Sequence, residues 1–294
     1  MIGFIINGTS GNGKGYRVWK RVERLMTKKA HPFLAHFTHS PDDCKKAVND
    51  LLTHDVKTII AVGGDGTIHH VANELAHREV ALGMIPAGSG NDFARCLGVP
   101  MNYIEALERI LTNKWRQVDL LHVGKQYCLT VTGIGLDGKV ANTVNQSVYK
   151  RYLNHFRLGG LTYAISLLET LKSYHPTTIH LTIDGTEMTF DDVWLVAVAN
   201  APNYGGGITI CPDASFDDGF LDLCIVKGMS KWQLINLFPK AYKGEHIKKE
   251  DVILLKGKEV LVRSESPIFI HSDGEPMMES PVNLRIEKDA LRVV

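Results

Sequence analysis

The chain runs from the apolar stretch Thr58-Ile59-Ile60-Ala61-Val62 straight into Gly63-Gly64-Asp65-Gly66-Thr67, and this junction restricts the fold more than any other segment. Short, β-branched and stopped by glycine, the stretch reads as a buried parallel strand. Three glycines let the backbone bend sharply and approach a ligand closely, since no Cβ intervenes. Thr67 is placed to cap a helix over residues 68–76, and the N–H groups at such a helix start attract phosphate. Asp65 would repel a phosphate unless a cation lay between them, so the loop suits a metal-bound nucleotide. The other reading of the same residues is a strand-to-helix turn with an exposed Asp.

A loop of the same kind follows one strand later. Ala81-Leu82-Gly83-Met84-Ile85-Pro86 reads as the next strand, and Gly88-Ser89-Gly90-Asn91-Asp92 leads into a helix with Phe93, Ala94 and Leu97 on one side. One helix and one strand separate the two loops, which makes a βαβ unit. With parallel strands, both loops emerge at carboxyl ends, on the sheet edge where open α/β sheets bind ligands.

Strand and helix patterns alternate through residues 1–122. Met1 to Asn7 reads as the first core strand, and Val18, Val22, Leu25 and Met26 mark one helix face. Phe33 to Phe37 reads as a strand. Ser40 with Asp43 forms a capping-box signal before a helix bearing Cys44, Ala47, Val48, Leu51 and Leu52. Residues 101–111 make a last helix and residues 116–122 a strand leaving the domain. This alternation implies a doubly wound, mostly parallel sheet. From residue 123 to 283 the texture becomes antiparallel β. Short alternating segments at 195–200, 219–226 and 260–264 are joined by turn signals, with Asp184-Gly185 as a hairpin cue. Helical patterns at 161–171 and 231–242 interrupt it. An α/β domain followed by a β-sandwich-like domain with helical insertions is the expected architecture.

At 294 residues the chain has room for two ordinary domains. A formal net charge of +1 gives no argument for a nucleic-acid partner. Five scattered cysteines without a C-x-x-C pair fit reduced thiols in a cytoplasmic protein better than a disulfide framework or a zinc site. No apolar run approaches the ~20 residues that span a bilayer, and the N-terminus lacks a basic n-region before Asn7. Gly8-Thr9-Ser10-Gly11-Asn12-Gly13-Lys14-Gly15 nearly spells a P-loop, but Gly15 stands where a hydroxyl should ligate magnesium, which counts against that motif. Lys14 reads as a solvated charge.

The two glycine loops, in this order and spacing, resemble the diacylglycerol kinase catalytic family of lipid kinases. Further segments of the chain carry the same resemblance: Asn7-Gly8-Thr9-Ser10-Gly11, Val118-Asp119, Pro212-Asp213-Ala214-Ser215-Phe216-Asp217-Asp218-Gly219 and Asp273-Gly274-Glu275. The resemblance implies an ATP-dependent kinase that phosphorylates a hydroxyl of diacylglycerol or a related lipid with Mg²⁺ as cofactor. It implies a nucleotide site of Asn7, Thr9, Ser10, Gly11, Thr38, Gly63, Gly64, Asp65, Gly66, Thr67, Gly88, Ser89, Asn91 and Asp92. It gives Asp65 and Asp119 to the magnesium that accompanies the nucleotide. A second, structural magnesium would take the Asp218 carboxylate with backbone oxygens at Ser215 and Phe220. Glu275 matches the proton acceptor and, with Asp65, forms the catalytic pair. The last strand, about 284–294, returns to the first domain.

The chain departs from the family pattern after Gly-Gly-Asp-Gly-Thr. A small polar residue and then Glu are common there, whereas His69-His70 stand in this sequence. Residues 146–163 combine Lys150, Arg151 and Arg157 with Tyr149, Tyr152, Leu153, Phe156 and Leu158, and contain no acid. That mixture suits transient contact with anionic lipid, or equally an amphipathic segment packed on the second domain. An exposed strand edge in the β domain could pair two copies. A lipid kinase peripheral to the inner face of the membrane is the leading expectation. NAD kinase, which shares a Gly-Gly-Asp-Gly loop, and a non-catalytic nucleotide-binding module are the alternatives.

Overall fold

The computed structural model describes residues 1–146, 159–277 and 280–294, without the side chains of residues 145, 146 and 159–163. The basic and aromatic residues named in the 146–163 stretch therefore lie outside the described residues. The chain divides into two compact units, Met1–Val118 with Lys288–Val294, and Asp119–Glu287.

The first unit is a doubly wound α/β layer. Its elements are β1 (Ile2–Ile6), α1 (Ser10–Lys28), β2 (Phe33–Phe37), α2 (Pro41–Leu52), β3 (Thr58–Gly63), α3 (Asp65–Leu75), β4 (Ala81–Pro86), α4 (Asp92–Cys96) and α5 (Tyr103–Leu111). Strands β2, β1, β3 and β4 lie side by side in that order, all parallel. Every residue of β1, β3 and β4 is buried, as expected for strands covered on both faces. Helices α2 and α3 pack together, and α1 packs with α5. Phe4, Trp19, Phe33 and Phe37 form an aromatic cluster between α1 and the sheet, with ring centroids 5.0–6.4 Å apart. The chain goes from β1 to one neighbour and then returns to the other side, so the order reverses between β1 and β3. Ligand crevices of open α/β sheets form at such a reversal.

Several local expectations are corrected here. Helix α3 starts at Asp65 with Gly64 as its extended cap residue, so Thr67 lies inside the first turn and caps nothing. An acidic residue in the first turn suits the positive end of the helix, which lets the helix begin earlier. Ser40 does cap α2, accepting the Asp43 N–H at 3.1 Å, but Asp43 returns its bond to His39 N–H rather than to Ser40. Leu25 is only half-buried, and Trp19 takes its place on the buried face of α1.

The second unit is antiparallel and sandwich-like. After β5 (Arg116–Val123) come β6 (Gln126–Cys128), β7 (Val131–Gly135), α6 (Leu136–Gln146), α7 (Gly159–Ser173), β8 (Thr177–Ile183) and β9 (Thr186–Ala199). Then follow β10 (Asn203–Tyr204), β11 (Ile208–Thr209), β12 (Leu221–Lys227), α8 (Lys231–Ala241), β13 (Val252–Gly257), β14 (Glu259–Ser264), β15 (Ile270–Ser272), β16 (Glu275–Pro276) and β17 (Val282–Val293). Asp184-Gly185 makes the predicted two-residue hairpin between β8 and β9, with φ of 47° and 84°. The second half of β9 lies between β7 and β12, and its first half pairs with β8.

Strand alternation divides the side chains of that sheet between two cores. Val196, Val198, Leu223 and Ile225 point into a cluster with Ile179, Leu181, Val260, Val262 and Leu284 from β8, β14 and β17. Ala197, Ala199, Cys224 and Val226 point the other way, against Leu167 and Leu171 of α7 and Leu234 and Leu237 of α8. The helices thus cover the face opposite the one packed against β8, β14 and β17.

Candidate active site

In the first unit, loops from the carboxyl ends of β1, β3 and β4 meet. Gly64 and Gly88 lie back to back, and a Cβ on Gly88 would run into the Gly64 Cα. Gly11, at φ 56°, approaches the Ala87 carbonyl oxygen so closely that no side chain fits there either. Hydrogen bonds hold this contact. Ala87 N–H donates to Gly63 O at 2.7 Å, and Asn91 N–H donates to the Asp65 carboxylate at 2.7 Å. Asn91, in the left-handed conformation at φ 57°, closes its own loop by accepting Gly88 N–H at 2.9 Å and donating to Gly88 O at 3.1 Å.

The first loop is shaped by Asn7, whose side-chain oxygen accepts from Thr9 N–H, Ser10 N–H and the Thr9 hydroxyl. Thr38 is buried at the end of β2 and donates its N–H to Ile6 O at 2.9 Å, beside that loop. Asp65 and Asp92 each occupy the first turn of a helix. A Cβ on Gly90 would stand 2.9 Å from an Asp65 oxygen and 3.3 Å from an Asp92 oxygen, so the two carboxylates flank one residue. Sequence reading assigned Asp92 to the nucleotide rather than to a metal; the pairing with Asp65 depends on where β3 and β4 end. Ser89 is exposed, Thr67 is buried against Gly63, and the His69 and His70 rings stand edge to face at 5.2 Å.

In the second unit, Asp119 is buried and tied to the chain itself. Its N–H donates to Phe216 O at 2.7 Å and its carboxylate accepts Gly219 N–H at 2.7 Å. It thereby holds the Phe216–Gly219 turn. Asp218 accepts Phe220 N–H at 3.0 Å with one oxygen, and with the other it takes the Lys256 ammonium at 2.7 Å. Lys256 also lies 3.5 Å from Asp222, and the Asp218 hydrogen bond holds its ammonium above the ordinary lysine range. The Ser215 hydroxyl donates to Asp217 at 2.6 Å. At the place where the sequence reading put a structural magnesium, both Asp218 oxygens thus accept a hydrogen bond and Lys256 supplies positive charge. Nothing in the local sequence flags Lys256, which arrives from β13.

Asp273-Gly274 forms the two-residue turn between β15 and β16, with φ of 51° and 85° and Ser272 paired to Glu275. The Asp273 carboxylate accepts Leu129 N–H and Thr130 N–H, each at 2.8 Å, and the Thr130 hydroxyl at 2.6 Å. Asp273 is thus an anchor. Glu275, two residues on, is exposed and open to an incoming group.

The same unit contains an apolar cavity between the helices and the sheet, lined among others by Val140, Leu167, Leu234 and Phe238, with Asp137, Tyr204 and His246 as polar members. The Cys224 thiol of the same core is no ready nucleophile, since burial pushes it up to about 12.

The matches to known proteins follow this division. Residues 1–123 match the diacylglycerol kinase catalytic domain, and residues 130–294 match the YegS C-terminal NAD kinase beta sandwich-like domain. A diacylglycerol kinase of Mycobacterium tuberculosis (strain H37Rv) is 30% identical over 91% of this chain and 89% of its own length. A diacylglycerol kinase of Bacillus subtilis (strain 168) is 30% identical over 92% and 88%. A solved structure from Bacillus anthracis (strain Sterne), provisionally assigned as a diacylglycerol kinase, superposes with a TM-score of 0.82 at 26% identity, covering 100% of this chain and 94% of its own. The chain belongs to the diacylglycerol kinase catalytic family and is a lipid kinase.

Two outcomes test this geometry. Gly88→Ala overpacks the contact with Gly64 and should cost about 1–3 kcal/mol of stability, read from urea denaturation; an unchanged midpoint would mean the loops are free to part. Lys256→Met leaves Asp218 and Asp222 without their cation. Its melting temperature should rise more with added Mg²⁺ than that of the wild type, and equal responses would remove the role given to Lys256.

Proposed function

We propose that this lipid kinase transfers the γ-phosphate of ATP to the hydroxyl of diacylglycerol or a related lipid alcohol, releasing ADP and giving phosphatidic acid or its analogue. The observation that carries the donor half is the contact between Gly64 and Gly88, which brings together two helix starts, the kind of place where backbone N–H groups favour phosphate. Asp65 with Asp92 offers the hard oxygen ligands that Mg²⁺ takes, one or two carboxylates being its usual protein share. These residues fit the ion and would hold it; once bound, it neutralises phosphate charge, which phosphoryl transfer needs more than covalent help.

Asn7, Thr9, Ser10 and Gly11 supply backbone and hydroxyl donors from the third loop. The Asn7 side chain orients that loop by accepting bonds within it. On the acceptor side, the lipid hydroxyl oxygen attacks the γ-phosphorus as the bond to the bridging oxygen of ADP breaks. Glu275 takes the hydroxyl proton, and its exposure lets a hydroxyl reach it. The apolar cavity of the second unit suits the start of an acyl chain, and its polar member Asp137 is joined by hydrogen bonds to the turn that carries Glu275.

Among the described residues no helix is long and apolar enough to cross a membrane. We infer that the lipid acceptor is met at the membrane surface. Trp232 at the start of α8, 76% exposed, with Ile165 and Leu168 exposed on α7, supports such contact from the second unit.

Labelled ATP and Mg²⁺ supplied with mixed micelles of diacylglycerol should give labelled phosphatidic acid, and the same mixture with NAD should give no labelled product. Asp65→Ala should lower turnover by roughly 10²–10³-fold through lost charge stabilisation. Glu275→Gln, which keeps shape but cannot accept the proton, should lower kcat by about 10²–10⁴-fold. Label in NADP but not in lipid would refute the acceptor assignment, and full turnover by Glu275→Gln would refute the proton acceptor.

A further inference from the structure

His271 lies on β15, two residues ahead of the Asp273-Gly274 turn, and is 2% exposed. Its Nδ1 is 3.1 Å from Gly274 N. A backbone N–H can only donate, so Nδ1 is the bare acceptor and the neutral ring carries its proton on Nε2. That Nε2–H is 3.1 Å from the Asp137 carboxylate, which also accepts the Tyr204 hydroxyl at 2.9 Å. Asp137 is buried as well and comes from the first turn of α6. A continuous chain of hydrogen bonds therefore runs from Tyr204 through Asp137 and His271 to the backbone of Gly274, the residue before Glu275.

Two further features show that this chain is built in. Gly133 faces His271 across the β7–β15 pair, and a Cβ there would collide with both the His271 ring and the Asp137 carboxylate. The absent side chain is what lets helix and strand side chains meet over the sheet. Asp273 anchors the first half of the turn through Leu129 and Thr130. His271 is the side chain that anchors the second half.

We propose that His271, set in orientation and tautomer by Asp137, is a positioning residue for phosphoryl transfer: it holds the Gly274 amide and so directs Glu275 toward the lipid hydroxyl. This rests on the reading of Glu275 as proton acceptor. A base displaced by about 1 Å can lose on the order of 10²-fold in rate.

Asn and Gln separate the two bonds of His271. In His271→Asn the side-chain oxygen stands near the place of Nδ1 and can accept Gly274 N–H, but it does not reach Asp137. In His271→Gln the amide stands near the place of Nε2 and can reach Asp137, leaving Gly274 N–H without its acceptor. The full chain is assayed with diacylglycerol micelles, ATP and Mg²⁺, and the 270–276 segment is followed by amide hydrogen exchange, which needs no turnover. His271→Gln should lose on the order of tenfold to a hundredfold in kcat with KM for ATP unchanged, and its turn should exchange faster. His271→Asn should keep kcat within about a few-fold of wild type and keep the protected turn. Tyr204→Phe, which opens no space and serves if His271→Gln does not fold, should raise exchange at the turn by a smaller amount.

Equal exchange at the turn in wild type, His271→Gln and Tyr204→Phe would overturn the proposal, as would a kcat for His271→Gln at or above that of His271→Asn. An inactive Glu275→Gln beside an unaffected His271→Gln would sink the positioning role alone. A fully active Glu275→Gln would sink the proton-acceptor reading, and the directing role of His271 with it, even where the turn loosens as expected.

Discussion

The first unit depends on two glycines pressed together. Gly64 and Gly88 can approach only because neither carries a Cβ, and that approach brings the ends of β3 and β4 close enough for Asn91 to donate to Asp65. With the loops joined, the first turns of α3 and α4 come together, and Asp65 and Asp92 flank Gly90. A larger residue at either glycine would separate the helix starts and scatter these groups. The parallel sheet sets the direction in which the loops emerge; the glycines set how near they come.

The second unit meets a different requirement, since its candidate proton acceptor, Glu275, stands beside a hairpin turn rather than at a helix start. A two-residue Asp-Gly turn is stiff in backbone conformation, because both residues sit in the left-handed region. Its orientation relative to the sheet is set by side chains, with Asp273 bonded to the backbone at Leu129 and Thr130 and His271 bonded to Gly274. Buried polar groups of this kind are stable only when each has its partners, so every such bond also specifies where the strand must lie. The same rule explains Asp119, whose buried carboxylate is matched to the Gly219 N–H.

Carboxylates that look alike in sequence thus do different work. Glu275 is exposed, Asp65 ties its loop to the next through the Asn91 N–H, Asp119 and Asp273 bind backbone amides of their own unit, and Asp218 pairs with a lysine. Burial and the direction of nearby N–H groups decide between these roles. Short sequence patterns around each residue carry no record of either.

Periodicity and turn chemistry alone determined a good deal about this protein. The strands Thr58–Gly63 and Ala81–Pro86, the hairpin at Asp184-Gly185 and the change from parallel α/β to antiparallel β were all legible, because each acts through neighbouring residues and their allowed backbone angles. The start of α3 was read three residues late, since a glycine cap with an acidic first turn leaves a weaker mark than a threonine cap. Tertiary structure decided the rest. Lys256 reaches Asp218 from 38 residues away, and His271 reaches Asp137 from 134 residues away. Such pairs exist only once strand register has placed them, and register is a property of the whole sheet, summed over many backbone bonds that no local segment specifies by itself.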